Sequence, residues 1–147
     1  TFSDAKFPHL TTFGHELALS VVFESGLLHP ADSVASYKAL PAPALDFLKA
    51  VPAQWDESKL LAGEPGTVIV VARKRGNDWF VAGISGTETP QTVTVDLSVL
   101  GPSAHTLAIV TDGSGPRSLT GATKTIAAGE TLTMELLPRG GFVARLR

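Results

Sequence analysis

The hydrophobic pattern changes period at Trp55, and this change limits what the chain can fold into. Before Trp55, apolar residues recur at helical intervals, as on a helix that buries one face. After it, they alternate with polar residues in short runs that end in turn-forming residues, as strands do. The pattern predicts an α+β chain, with helices over residues 1–54 and an antiparallel β-sandwich or barrel over residues 55–147. The boundary is expected within residues 53–63.

Three helical segments are predicted before Trp55. The first, HELALSVVFESG over residues 15–26, is apolar on nearly every side, so it needs cover from a larger body. Its closing Gly26 is expected to end the helix in the left-handed conformation. Two further helices are predicted over residues 31–40 and 44–51, because prolines stand where these segments begin or end.

The part after Trp55 is predicted to consist of strands joined by glycine and proline turns. The predicted strands cover residues 67–75, 78–86, 92–100, 105–113, 124–126, 131–137 and 141–147. The first three are expected to form a meander, with a tight turn at residues 75–77 between the first two.

Composition excludes several classes of protein. The 147 residues include 12 basic and 14 acidic side chains without a basic stripe, which argues against nucleic acid as a partner. The absence of cysteine excludes disulfides and thiolate metal sites. No apolar run reaches the ~20 residues that a membrane span needs, so no membrane partner is expected. The chain begins at Thr1 rather than methionine, which leads us to expect a fragment or a processed product.

The carboxylates of the helical part do not form a recognisable catalytic or metal pair. His15 and Glu16 lie in HELAL, which lacks the second histidine of a zinc-binding HExxH, and Glu16 suits the positive end of a helix dipole. Glu24 and Asp32 are separated by a helix end and a proline, and we expect each to cap a helix or make a buried polar contact. An acid and base pair would need two carboxylates at a fixed separation.

The remaining polar residues give no motif for chemistry. His9 and His29 are expected to be surface or packing histidines. No serine lies in a GxSxG elbow, the segment GISGTETP fits no phosphate loop, and the acidic residues lack the spacing of a calcium loop. The sequence therefore assigns no catalytic, no cofactor-binding and no metal residue.

Aromatic residues leave one binding hypothesis open. Trp79 and Phe80 are adjacent in a predicted strand, so their side chains point to opposite faces and one of them is expected to face away from the local core. Trp79, Phe80 or Trp55 could stack on a sugar ring. We favour packing against a neighbouring domain, because the helices before Trp55 need a partner.

Four runs carry a resemblance to a known family. They are HELALSVVFESGLLHPADSVASYKALP, FLKAVPAQWDESKLLAGEPG, VVARKRGNDWFVAGISGT and PRGGFVARL. Together they resemble the C-terminal end of a glycoside hydrolase family 97 enzyme, over nearly the whole chain. The segments VFESGL…H..ADS and VPAQWDE…L.GEPG are the most specific, whereas the strands after Gly101 would fit many sandwiches.

The resemblance implies a fold and an activity. Family members have an N-terminal β-super-sandwich, a catalytic (β/α)8 barrel and a C-terminal β domain, and they are exo-acting α-glucosidases or α-galactosidases with bound calcium. It implies that residues 1–54 are the last helices of the barrel, following a loop over residues 1–12, and that residues 55–147 are the C-terminal sandwich. The catalytic carboxylates and calcium ligands would lie upstream, so the isolated chain would be inactive.

The resemblance also implies partners and a location. The partners would be the barrel and N-terminal domain of the same enzyme, an oligosaccharide substrate bound by the barrel, and a further copy in a homo-oligomer. The location would be the periplasm or the outside of a bacterial cell. Two hypotheses follow: a β domain that braces the barrel and supports oligomerisation, or a carbohydrate-binding module without catalysis.

Overall fold

The computed structural model describes residues 9–29, 31–102 and 105–147. The helices are α1 (Phe13–Val22), α2 (Val34–Lys38) and α3 (Ala42–Ala50), and a short 3₁₀ helix spans Ser98–Leu100. The strands are β1 (Glu57–Glu64), β2 (Val68–Arg75), β3 (Asp78–Ser85), β4 (Gln91–Asp96), β5 (His105–Asp112), β6 (Leu119–Ile126), β7 (Thr131–Leu136) and β8 (Gly141–Leu146). Most of the loop expected over residues 1–12, the helix junction at Pro30 and Ser103 lie outside the described residues.

The strands form two antiparallel sheets that face each other. Six strands make one sheet in the order β1-β2-β3-β8-β5-β6, and β4 pairs with β7 in a second sheet. The core between the sheets contains side chains from both, among them Val70, Phe142, Val95 and Leu132. The prediction of an antiparallel sandwich is therefore confirmed, and the predicted turn between β2 and β3 is present, with φ 59° at Gly76.

The six-stranded sheet is buried on both faces at its centre. Trp79 lies in the core between the sheets, whereas Phe80 lies in a second core between the sheet and the helices. Consecutive strand residues point to opposite faces, as predicted. As expected, one of the two rings, that of Phe80, faces away from the core between the sheets, but neither ring is exposed, since Trp79 is 3% and Phe80 2% exposed. Helix α1 lies over β3 and β8 and provides the cover for Phe80.

The first two helices are shorter than the sequence predicts. Helix α1 ends at Val22, with Phe23 rather than Gly26 as its C-terminal cap, and Gly26 does not have a positive φ. The helix ends early because an arginine of the sheet binds its last carbonyls, as described below. Helix α2 covers only Val34–Lys38, and α3 begins directly after Pro41, where proline's fixed φ favours a helix start. In the part of the chain that the structure describes, no helix has the length and apolarity of a membrane span.

Four features of the strands differ from the prediction. Strand β1, with the sequence ESKLLAGE, lies within the segment expected to be a boundary, and its glutamates, lysine and glycine hide the strand pattern. The predicted meander is also wrong at its third strand, because β4 leaves the first sheet and pairs with β7. The segment predicted as a strand to residue 100 ends at Asp96, where Ser98–Leu100 form the 3₁₀ helix. Strand β6 extends well before the predicted residues 124–126.

Candidate functional site

Helix α1 is fixed to the six-stranded sheet at its N-terminus by Asp112, the last residue of β5. The Asp112 carboxylate accepts hydrogen bonds from Thr12 Oγ1 at 2.7 Å, Gly14 N at 2.7 Å and Gly141 N at 3.2 Å. Burial raises the pKa of Asp112, although these hydrogen bonds act in the opposite direction. A carboxylate at a helix N-terminus also interacts favourably with the helix dipole. Asp112 therefore links α1 to two strands of the sheet.

Every free donor in the first turn of α1 has a partner. Phe13 N donates to the carbonyl oxygen of Pro116 at 2.8 Å, and Gly14 N donates to Asp112. His15 N donates to Thr12 Oγ1 at 3.1 Å, so Thr12 is the N-cap. Glu16 N donates to the backbone oxygen of Thr12. The N-terminus of the helix is thus completely satisfied by the body of the sandwich.

Gly14 allows the helix to approach the sheet this closely. A Cβ atom at Gly14 would lie 2.3 Å from the carbonyl oxygen of Gly141 and 2.7 Å from Asp112 Oδ1. We expect Gly14→Ala to lower the free energy of unfolding by about 1–2 kcal/mol, because the steric cost exceeds the better helix propensity of alanine. Chemical denaturation measures this effect. Gly26→Ala, where a Cβ would meet nothing within 4 Å, is the control and should change stability little.

His15 contributes a pH-dependent term to the same junction. Its Nδ1 atom is buried without a hydrogen-bond partner, and burial lowers the pKa of the ring below 6.5. The unfolded chain binds a proton there first, so the stability that His15 contributes is present above pH 6.5 and is lost as pH falls towards the folded-state pKa.

We expect His15→Phe to be close to wild type at pH 8 and to lose less stability than wild type on acidification below pH 6.5. Urea unfolding at several pH values measures the difference. Parallel pH profiles for the two proteins would contradict the assignment to His15.

The C-terminus of α1 is held by Arg73, a charged residue of β2 that is only 7% exposed. Arg73 Nε donates to the carbonyl oxygen of Val21 at 2.6 Å and Nη2 to that of Val22 at 3.2 Å. Its Nη1 atom donates to Glu24 Oε2 at 2.9 Å and to Ser58 Oγ at 2.6 Å. The guanidinium group satisfies helix carbonyls that otherwise have no partner and places a positive charge at the negative end of the dipole.

Between these two polar ends, α1 packs on the sheet through apolar side chains. Leu17, Ala18 and Val21 are at most 1% exposed and share a core with Phe80 and Val143 of the sheet. Helix α3 completes this core with Ala44 and Phe47, and the Phe47 ring meets the Phe80 ring edge-on at 5.9 Å. This second core joins α1 and α3 to the outer face of the six-stranded sheet.

An open apolar groove lies beside α1, next to the residues that follow its C-terminal end. Phe23 is 62% and Leu27 71% exposed, and both line a groove of about 310 Å³ that Leu19, Tyr37 and Leu48 also border. Leu10, just before α1, and Val34, the first residue of α2, are exposed to a similar degree. Exposed apolar residues of this size concentrated in one layer are typical of a surface that contacts another protein segment. The sequence predicts that α1 is covered on most sides. In the structure, its fully buried apolar side chains all belong to the core that it shares with the sheet.

The polar residues singled out in the sequence have structural contacts. Glu24 makes the expected polar contact, with Arg73, but its side chain is 66% exposed rather than buried. Asp32 accepts from the backbone N–H of Ser33, and Ser33 rather than Asp32 caps α2. His9 Nδ1 lies 3.7 Å from Glu16 Oε1. Among the described residues, no group of three or more histidine, aspartate and glutamate side chains lies close enough together to hold a metal ion.

The aromatic residues proposed for sugar stacking are used for packing. Trp79 and Phe80 are buried, and the half-buried Trp55 ring meets Phe80 edge-on at 5.4 Å. Lys59 and Lys74 place their ammonium groups 5.3 Å and 5.7 Å from the Trp79 ring. None of the three rings therefore provides a free face of the kind that a sugar-binding platform needs.

Sequence reasoning did not find the two residues that fix α1. Arg73 interrupts the apolar run VIVVARKR, and a charged residue inside a buried strand usually has a buried partner. Asp112 lies near the end of the predicted strand over residues 105–113, and no motif distinguishes it from the other acidic residues. Its role depends on contacts with residues about 100 positions earlier in the chain, which no local pattern reveals.

Comparison with known families identifies residues 54–147. They match the family model described as "Glycosyl-hydrolase 97 C-terminal, oligomerisation". The matched region contains all eight strands and both sheets.

Individual relatives agree with the family model. The chain is 37% identical over 143 residues to a probable retaining alpha-galactosidase from Streptomyces bingchenggensis, covering 97% of this chain and 22% of the relative. It is 32% identical over 136 residues to a retaining alpha-galactosidase from Bacteroides thetaiotaomicron, covering 90% of this chain and 20% of the relative. The chain therefore spans about a fifth of the length of these relatives.

A solved structure extends the similarity to the fold. A glycoside hydrolase family 97 enzyme from Pseudoalteromonas sp. strain K8, solved in complex with acarbose, superposes with a TM-score of 0.86 at 31% sequence identity. The match covers 93% of this chain, including helices as well as strands, and 22% of that enzyme. The chain belongs to glycoside hydrolase family 97 and corresponds to the C-terminal part of such an enzyme.

Proposed function

We propose that this chain is the C-terminal part of a retaining, exo-acting α-glycoside hydrolase whose substrates are α-galactosides, with α-glucosides as the alternative. The names of the two curated relatives, at 37% and 32% identity, support the α-galactoside assignment and the retaining mechanism. The observation that carries the proposal is the match of residues 54–147 to the C-terminal model of this family.

The role proposed for the chain itself is to brace the catalytic barrel and to support oligomerisation. We propose that residues 1–54 provide the last helices of a (β/α)8 barrel and that residues 55–147 form the bracing sandwich. The open apolar groove beside α1, with Phe23 and Leu27 exposed just beyond the end of the helix, supports a contact with the barrel. Asp112 and Arg73 fix both ends of α1 to the sheet, which supports a rigid connection between the sandwich and the barrel.

The calcium ion implied by the family does not fit the described residues. They contain no group of three or more histidine, aspartate and glutamate side chains in position to share a metal ion, whereas Ca²⁺ takes six to eight oxygen ligands. We therefore propose that the calcium ligands and the catalytic carboxylates belong to the part of the enzyme that this chain does not span. Barrel active sites lie at the C-terminal ends of the strands, and residues 1–12 would at most border such a site.

The proposed activity can be tested with the longer protein that contains this chain. We expect hydrolysis of p-nitrophenyl α-galactoside to exceed that of the α-glucoside, and to fall when a calcium chelator is added. Proton NMR should show the α-anomer of galactose as the first product, as retention requires. The 147-residue chain alone should be inactive. Turnover by the isolated chain, or the β-anomer as first product, would refute the corresponding part of the proposal.

The proposed bracing role can be tested separately at Phe23, just beyond the end of α1. We expect Phe23→Glu to change the stability of the 147-residue chain by less than about 0.5 kcal/mol, as for most exposed positions. In the longer protein the same substitution should lower the melting temperature and the activity, because it would bury an unpaired charge against the barrel. Thr123→Glu, on the exposed strand β6, is the matched control and should be neutral in both proteins. Equal effects of the two substitutions would argue against a barrel contact at Phe23.

The alternative of a carbohydrate-binding module receives no support from the aromatic residues. Trp79 and Phe80 are buried, and Trp55 packs against Phe80. We expect the 147-residue chain to show no change in tryptophan fluorescence on titration with galactose or maltose. A saturable change would favour the module instead.

A further inference from the structure

We propose that the sandwich holds the catalytic barrel at a second place, an apolar groove beside α1 on the outer face of the six-stranded sheet. We call it the β1–β2 groove. Leu60 and Gly63 of β1, Ile69 of β2 and Ile84 of β3 line it, together with the turn between β1 and β2, around a cavity of about 460 Å³. The inference rests on the proposed bracing role. The occupant is an apolar segment of the barrel of the same polypeptide.

Burial of the apolar residues on this face decreases from the middle of the sheet towards β1. Directly opposite residues of neighbouring strands lie on the same face, so Leu60, Val71, Ala82 and Val143 form one row across β1, β2, β3 and β8. Ala82 and Val143 are completely buried in the core that α1 covers, Val71 is partly buried, and Leu60 is 67% exposed. Helix α1 therefore covers only part of an apolar face that continues to the edge of the sheet.

The next row of cross-strand partners shows the same change. It contains Gly63, Ile69, Ile84 and Gly141. Gly141 lies under α1, since a Cβ atom there would be 2.7 Å from the Cα atom of His15. Ile69 and Ile84 are incompletely buried, and Gly63 is exposed. The β1–β2 groove is thus the part of the outer face that α1 leaves uncovered.

The residue types in the groove differ from those on a face of this protein that meets water. Strands β4 and β7 point polar residues away from the core, among them Thr92, Thr94, Thr133 and Glu135. Antiparallel sheets with one solvated face normally show this alternation. Leucine, valine and isoleucine on the outer face of β1, β2 and β3 therefore indicate a surface that is covered in the whole enzyme.

The lining of the groove also defines the chemistry of its occupant. Among the residues that border the cavity, only Glu64 and Thr67 carry polar side chains. A sugar would need several hydrogen-bonding partners for its hydroxyl groups. A large apolar side chain, such as leucine or phenylalanine, loses nothing there and removes further apolar surface from water.

The position where the preceding chain reaches the sandwich favours the barrel as the source of this side chain. Thr12 N donates to the carbonyl oxygen of Arg139 at 3.2 Å, and Ser85 N, next to Ile84, donates to that of Gly140 at 2.9 Å. The chain thus joins the sandwich at the end of the sheet where the groove lies, and on the same face. A domain attached there has an effective concentration on the order of millimolar, whereas a separate molecule has to associate from solution.

Thiol reactivity tests the contact, because the 147-residue chain contains no cysteine. We expect Leu60→Cys to react with iodoacetamide at least about tenfold more slowly in the longer protein than in the 147-residue chain, since a covered thiol reacts only when the contact opens. Mass spectrometry of the peptide that contains position 60 measures the rate separately from any other cysteine of the longer protein. Equal rates in the two proteins would overturn the proposal.

Val99→Cys is the matched control. Val99 is also exposed, at 46%, but its carbonyl oxygen accepts a hydrogen bond from Lys59, whose side chain lies on the face of β1 opposite to Leu60. The thiol at position 99 should react at the same rate in both proteins. Equal slowing at positions 60 and 99 would mean that the whole edge is covered, and would overturn the assignment to the groove.

Phe23→Cys and a dilution series separate this inference from the proposed function. Slow reaction of Phe23→Cys with fast reaction of Leu60→Cys in the longer protein would leave the bracing role intact and overturn the groove. Fast reaction at both positions would refute both. Slow reaction of Leu60→Cys that is lost on dilution, when sedimentation velocity shows dissociation to monomers, would assign the groove to a second copy and overturn the barrel as its occupant.

Discussion

Arg73→Ala is expected to lower the free energy of unfolding by about 3 kcal/mol, because it removes a buried group that binds the end of α1. The carbonyl oxygens of Val21 and Val22 would lose donors at 2.6 Å and 3.2 Å, and the hydroxyl of Ser58 would lose its contact at 2.6 Å. The side chain is 9% exposed, so water reaches the vacated site only after the helix end moves. Urea denaturation followed by circular dichroism measures the loss.

Two control substitutions separate the capping role of Arg73 from its ion pair. Glu24→Ala removes only the ion pair with a carboxylate that is 66% exposed, and should cost less than about 1 kcal/mol. Arg75→Ala removes an exposed pair with Asp56 two residues further along the same strand, and should also cost less than about 1 kcal/mol. If Glu24→Ala were as damaging as Arg73→Ala, the ion pair rather than the helix carbonyls would be the main contribution.

A strand was predictable from the sequence where its pattern of apolar residues matches the faces of the strand that are buried. Strand β3, DWFVAGIS, is buried on both faces, and its run of apolar residues identified it directly. Strand β4, QTVTVD, alternates because only one face meets the core, and the alternation identified it as well. Such patterns report local burial, so they predict that a strand exists but not which strand lies beside it. The meander prediction failed for β4 for this reason.

Strand β1 and the end of α1 were not predictable because their partners are distant in sequence. The residue types in ESKLLAGE do not favour a strand. This segment is a strand because it pairs with β2. Gly26 was expected to end α1. Instead the helix ends four residues earlier, where Arg73, about 50 positions later in the chain, binds the carbonyl oxygens of Val21 and Val22. A tertiary contact thus overrides a local cap preference.

The second core explains why the first helix is so apolar. Its sheet side meets Phe80 and Val143, and its ends are held by polar groups of the sheet. Its other side is half-buried and borders an apolar groove, with Phe23 exposed just beyond its C-terminal end. A helix held rigidly on one side and apolar on the other is suited to joining two bodies. This arrangement is the structural basis for the proposed bracing of a catalytic barrel.

Asp112→Ala is expected to lower the free energy of unfolding by about 3–4 kcal/mol, because it leaves three buried donors without their acceptor. The amide of Gly14 and that of Gly141 cannot turn towards water, and the hydroxyl of Thr12 would keep only its role as N-cap. Asp112→Asn retains one carbonyl acceptor of the same shape and should cost about half as much. Asp46→Ala, on the exposed face of α3, is the control and should be near neutral.

The pH dependence of the Asp112→Ala effect distinguishes hydrogen bonding from simple removal of a charge. Burial raises the pKa of Asp112 above 3.8, so between that value and the folded-state pKa the unfolded chain releases its proton first. The stabilisation that comes from the raised pKa of Asp112 is therefore present in full below pH 3.8 and declines as pH rises through this window. We expect the destabilisation by Asp112→Ala, measured by urea unfolding from pH 4 to pH 7, to decrease with rising pH but to remain above about 2 kcal/mol, since the hydrogen bonds persist in the ionised state. A destabilisation that increases with pH would mean that the buried carboxylate is held ionised, and that α1 is fixed by charge rather than by the geometry of its first turn.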